Sequence, residues 1–128
     1  MDKKNNKELE YIDIQLITIF FTLISTIISI LLTYNQKLEI SNLKTLFTSK
    51  NTFKLAKFNR TLILIISIIF LYVNYKLYEL SKKQGENLKP YKLQIIASAL
   101  TVITSIITLY VVFLSTKGEV ADIENPII

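Results

Sequence analysis

The sequence predicts an all-α integral membrane protein, a small bundle of three transmembrane helices with a short amphipathic basic segment before the second. Three observations carry this. The 128 residues are 51% hydrophobic. The apolar residues are pooled into long uncharged runs, not dispersed at the period of a soluble helix or strand. Those runs number three, at 14–36, 61–75 and 93–116, with lengths of 23, 15 and 24 residues.

A bilayer core about 30 Å thick needs roughly 20 helical residues, and the first and third runs supply them. The middle run is shorter but intensely apolar. Phe58, Leu77 and Leu80 extend it, and Arg60 and Lys76 have stems long enough to reach the interface. Strand-forming Ile, Val and Thr are abundant, yet the runs do not alternate polar with apolar, and three segments cannot close a barrel. In hydrocarbon a helix satisfies its own backbone hydrogen bonds.

The chain therefore divides as follows: a polar N-tail over 1–11, helix 1 over 12–34, a basic and partly amphipathic loop over 35–59, helix 2 over 60–80, a short loop over 81–90, helix 3 over 91–116 and an acidic C-tail over 117–128. Tyrosines at 11, 34, 72, 75, 78, 91 and 110 fall near the run ends, where Tyr favours the water–lipid boundary. Pro90 suits a first helical turn and Gly118 a helix end. The basic start (Lys3, Lys4, Lys7) is followed by Glu8, Glu10 and Asp13, with no small-residue cleavage pattern after the first run. The first span is expected to be retained rather than cleaved as a signal peptide.

Two stripes of small or polar residues recur at heptad spacing. One is Gln15, Thr18, Thr22, Ser25 and Ser29; the other is Gln94, Ala97, Thr101, Thr104 and Thr108. Aligning Ile14 with Leu93 brings the two runs into register, an internal echo of the first span in the third. Helices separated by one span run parallel, and membrane helices associate through small residues and hydroxyls. The stripes suit packing of span 1 on span 3, a contact between copies of the chain, or a hydroxyl-lined path.

A polar layer is expected where the first span begins, the second ends and the third begins. It holds Asp13, Asn74, Lys76 and Lys92, with Gln15 and Gln94 one step inside. Asp13 is expected to pair with Lys76 or Lys92. Before the second span, Lys50, Lys54, Lys57 and Arg60 recur on one helical face, a lipid-facing basic stripe suited to an anionic leaflet.

Lys and Arg number eight on the side of the N-tail and second loop and seven on the other, so charge count does not orient the chain. The less neutralised first loop favours placing that loop and the C-terminus in the cytoplasm, in a multi-pass protein of the cell (inner or plasma) membrane. The Ile, Lys and Asn usage, small size and lack of Cys resemble small inner-membrane proteins of AT-rich bacteria.

The missing residues narrow the chemistry. Without Cys or His, thiolate nucleophiles, imidazole bases and the commonest zinc ligands are excluded. No nucleotide-binding or metalloprotease motif occurs, and no charged residue lies deep in a span, as proton pumps and voltage sensors require. The net charge of +5 fits contact with anionic lipid; no nucleic-acid-binding pattern accompanies it. We therefore expect no catalytic residues, no cofactor and no metal. The expected role is that of a non-enzymatic accessory subunit or scaffold whose partners are the lipid bilayer and either a second copy or another membrane protein. The alternative is an oligomeric pore or transport component. Holins of one class resemble this chain in length and three-span layout, which implies a pore built from several copies; in place of their usual basic tail, Glu119, Asp122 and Glu124 stand against Lys117.

Overall fold

A computed structural model describes residues 3–114, with side chains from residue 6 onward. The acidic C-tail at 117–128, including Gly118, lies outside the described residues. Three helices make up the fold: α1 (Lys3–Ile40), α2 (Ser49–Lys83) and α3 (Lys89–Leu114). No strand occurs among the described residues. Each helix is long and apolar enough to cross a membrane. By length and composition the chain is a multi-pass membrane protein.

The helices are longer than the uncharged runs. At about 1.5 Å per residue, the 38 residues of α1 and the 35 of α2 extend well past a hydrocarbon core. The loop expected at 35–59 is therefore corrected. Helix α1 continues to Ile40, α2 begins at Ser49, and only 41–48 connect them. Lys50, Lys54, Lys57 and Arg60 belong to the first turns of α2. Charge ends a hydrophobic run without ending a helix, because Lys and Arg are good helix formers.

The helix ends follow capping chemistry. Asn42 takes a left-handed conformation, φ 57°, after α1. Its N–H reaches Glu39 O at 3.1 Å and the Leu43 N–H reaches Leu38 O at 2.9 Å, a Schellman closure. Gly85, φ 69°, closes α2 the same way, with Glu86 N–H on Ser81 O. Thr48 Oγ1 accepts from the Asn51 N–H at 3.2 Å and caps the start of α2. Pro90 lies in the first turn of α3, where no intrahelical donor is needed.

Helix α2 is central. It packs antiparallel against α1 and against α3, whereas α1 and α3 do not pack on each other. This corrects the expected packing of span 1 on span 3. Helix α2 offers a separate polar face to each neighbour and holds the two on different sides.

Asn35 ties the connection down. Its Oδ1 accepts from the backbone N–H groups of Leu46 (2.8 Å) and Phe47 (3.0 Å), and its Nδ2 makes a long 3.4 Å contact with Thr52 Oγ1. Asn35 is buried, so replacing it leaves two backbone donors of the loop unpaired. Asn35→Ala is expected to speed hydrogen exchange at Leu46 and Phe47 about tenfold. Unchanged exchange at both amides would show that the loop is held by other contacts.

Candidate functional site

The polar groups inside the bundle form two seams along α2. In the first, against α1, Asn59 has no exposed surface. Ser25 Oγ donates to Asn59 Oδ1 at 2.7 Å, and Asn59 Nδ2 donates to Ser29 Oγ at 2.9 Å. One amide thus clamps two successive turns of α1. Next to it, Leu32 and Ala56 are both fully buried, with Ile28, Phe53 and Leu55 around them. Small Ala56 lets the two backbones approach where Leu32 fills the gap.

In the second seam, Arg60, Ser67, Asn74 and Ser81 recur every seven residues on α2. Ser67 and Asn74 of this row meet Ser105 and Ser98 of α3, also seven apart. Ser67 and Ser105 hydroxyls lie 3.0 Å apart, and Asn74 Nδ2 donates to Ser98 Oγ. Ser67 and Ser105 also reach the carbonyls of Ile63 and Thr101, each at 2.8 Å. Each hydroxyl has one proton, so one serine donates to the other, which donates to its own helix. A repeat of seven produces a left-handed crossing near 20°.

The predicted stripes are only partly in these seams. In α1, Thr18, Ser25 and Ser29 are buried, Gln15 is half-buried and Thr22 is exposed. In α3, Gln94, Ala97, Thr101 and Thr104 are exposed and Thr108 is half-buried; the buried face is the next one round, through Ser98 and Ser105. The threonine hydroxyls of both stripes bond within their own helices. Thr18, Thr22, Thr101 and Thr104 each donate to the carbonyl four residues earlier, at 2.7–2.9 Å, and Thr108 donates three residues back, to Ser105 O at 3.1 Å. Such back-bonding lets a hydroxyl face lipid without an unpaired donor. The echo between spans 1 and 3 therefore does not extend to their packing: Thr104, aligned with buried Ser25, faces outward. Thr22 and Thr101 nevertheless line one groove of about 270 Å³, floored by Ile63, Ile66 and Phe70 of α2.

The polar layer is also rearranged. Asn74 has a cross-helix partner, Ser98. Lys76 pairs within α2 with Glu79 at 3.6 Å and lies 5.8 Å from the Tyr72 ring centre. Asp13 and Lys92 are exposed, and the expected bridge from Asp13 to Lys76 or Lys92 does not form among the described residues. A lysine three residues before a glutamate on one helix finds its counter-ion locally.

The basic stripe divides in two. Lys50 and Lys54 are exposed. Lys57 Nζ sits 5.0 Å from the Phe53 ring and 5.2 Å from the Phe113 ring, a cation–π bracket joining α2 to α3. Arg60 is 3% exposed and engaged within the bundle, which corrects its expected lipid-facing position. The sevenfold repeat places it one step before Ser67 in the row that faces α3.

No group of three or more potential metal ligands occurs among the described residues. The arrangement is suited to helix association, because its polar atoms are used in seams and back-bonds while large apolar side chains such as Ile17, Phe20, Ile103 and Ile106 stay exposed. Asn35, Asn59, Ser67, Ser98 and Ser105 lie outside the stripes, layer and basic face expected from the sequence. The sevenfold spacing of polar residues in the second run, from Arg60 to Ser81, was the available signal.

No family model, curated protein or solved structure matches the chain.

Disulfide formation distinguishes the seams from the stripes. Paired cysteines at Ser67 and Ser105 are expected to crosslink within one chain in membranes. Cysteines at Thr22 and Thr101 are not, because α1 and α3 nowhere bring Cα atoms within 8 Å and a disulfide needs less than about 7 Å. The reverse pattern would place α3 against α1.

Proposed function

We propose that this protein is a non-enzymatic accessory subunit or scaffold of a cell membrane, acting through helix–helix contacts, with the 41–48 loop on the cytoplasmic side. The observation that carries the reading is the outer face of α3. Ala97, Thr101 and Thr104 are exposed there. The two threonines have their hydroxyls satisfied by their own helix, so another helix can approach closely without stranding a polar group. Apolar side chains gain little by leaving lipid for a partner helix. A small-residue face is therefore where a membrane helix associates. The groove walled by Thr22 and Thr101 continues that face and widens the area open to a partner.

The absence of His and Cys from the sequence and the engagement of Asn59, Ser67 and Ser105 in packing support a role without catalysis. A partner helix docked on α3, from a second copy or from another membrane protein, is the simplest use of such a surface.

Bulky substitution tests this reading. Ala97→Leu with Thr101→Leu is expected to weaken association in membranes about tenfold, measured by energy transfer between labelled chains or by co-purification of the partner. The same variant retains the crosslink between cysteines at 67 and 105, since the α2–α3 seam is untouched. Undiminished association would remove α3 as the contact. Collapse of the membrane potential on expression would instead assign the chain to the oligomeric-pore class.

A further inference from the structure

The hydrogen bonds of the first seam fix the levels of α1 and α2 and bring unlike stretches side by side. Asn59 faces Ser25 and Ser29, Ala56 packs on Leu32, and Asn35 meets Thr52. Residues 27–36 of α1, which carry no charge, are therefore level with residues 50–59 of α2, which carry three lysines. Helix α3 reaches this hairpin at Phe113, beside Lys57. Lys54 and Lys50 lie about one and two turns farther along α2 toward its start.

The outer end of the hairpin has two kinds of exposed group. Ile30, Leu31, Tyr34, Ile40, Leu43 and Leu46 are exposed apolar side chains. Lys37, Lys44, Lys50 and Lys54 are exposed cations, and Glu39 is the only acid between residues 14 and 78. A shallow groove of about 410 Å³ runs along Ile30, Thr33 and Tyr34 and ends at Lys37. Water alone would leave the apolar groups unfavourably hydrated, and hydrocarbon alone would strand the lysines. One environment satisfies both, the boundary where acyl chains meet anionic phosphates.

We propose that the α1–α2 hairpin end binds anionic phospholipid. Acyl chains lie against the exposed apolar side chains of the hairpin end, and phosphate headgroups are held separately by Lys37 on α1 and by Lys50 and Lys54 on α2. Lys57 is withheld from this role by its two aromatic rings and Arg60 by burial, so the binding charge resides in the outer lysines. The inference rests on membrane insertion as read above but not on a helix partner. Loss of lipid binding with association intact, or the reverse, separates the two.

The test is a lipid titration of the detergent-solubilised full chain, followed by native mass spectrometry, with dioleoyl phosphatidylglycerol and dioleoyl phosphatidylcholine as probes. The wild type is expected to prefer phosphatidylglycerol. Each interfacial lysine contributes about fivefold, so K50Q/K54Q is expected to lose roughly 25-fold in that affinity, with phosphatidylcholine binding unchanged. K50R/K54R keeps the charge and the preference, and K82Q/K83Q, at the other end of α2, also keeps it. Equal affinity of the wild type for the two lipids would overturn the proposal. So would a preference that survives K50Q/K54Q, is lost in K50R/K54R, or is lost in K82Q/K83Q.

Discussion

Asn59 is the constraint on which the rest depends. Its amide is wholly buried, and a buried amide in hydrocarbon must be hydrogen-bonded. Ser25 and Ser29, one turn apart on α1, both bond to it. Satisfying both at once sets the rotation of α1, its direction relative to α2 and its level along the axis. A slide of one turn would leave an oxygen or an amino group without a partner. Apolar packing alone has no such preference, because lipid tails compete with Ile and Leu on nearly equal terms.

The remaining architecture follows from that fixed register. With α1 clamped on one side of α2, the sevenfold row through Ser67 and Asn74 faces another direction and receives α3 through Ser105 and Ser98. The two seams share α2 but not its residues, so α1 and α3 remain apart. That separation leaves the outer face of α3 and the groove toward Thr22 open. The same register carries the uncharged turns of α1 beside Lys50 and Lys54. The association face and the basic hairpin end thus have one geometric origin.

The spans were legible because hydrophobic run length is a direct consequence of bilayer thickness. The helix ends were less so. Charges at Lys37 and Arg60 bound the uncharged runs, yet the helices extend past them until Asn42 closes α1 and Thr48 opens α2. Packing was legible only in part. The stripe through Thr18, Ser25 and Ser29 was visible and is buried, but its apparent counterpart through Thr101 and Thr104 is not. Threonine back-bonded to its own helix and serine bonded across a seam have the same appearance in a sequence. Arg60 was misplaced for a related reason. Its spacing from Lys57 and Lys54 puts it on the basic face, while its spacing from Ser67 and Asn74 puts it on the α3 seam, and the second governs its position.

A double-mutant cycle in lipid bilayers tests the clamp most directly. Unfolding free energies would be measured for Asn59→Leu, for Ser25→Ala with Ser29→Ala, and for all three together. Two buried bonds at roughly 0.6 kcal/mol each predict a coupling of about 1 kcal/mol between Asn59 and the serine pair. Additive effects, with a coupling near zero, would contradict the claim that Asn59 sets the register of the bundle.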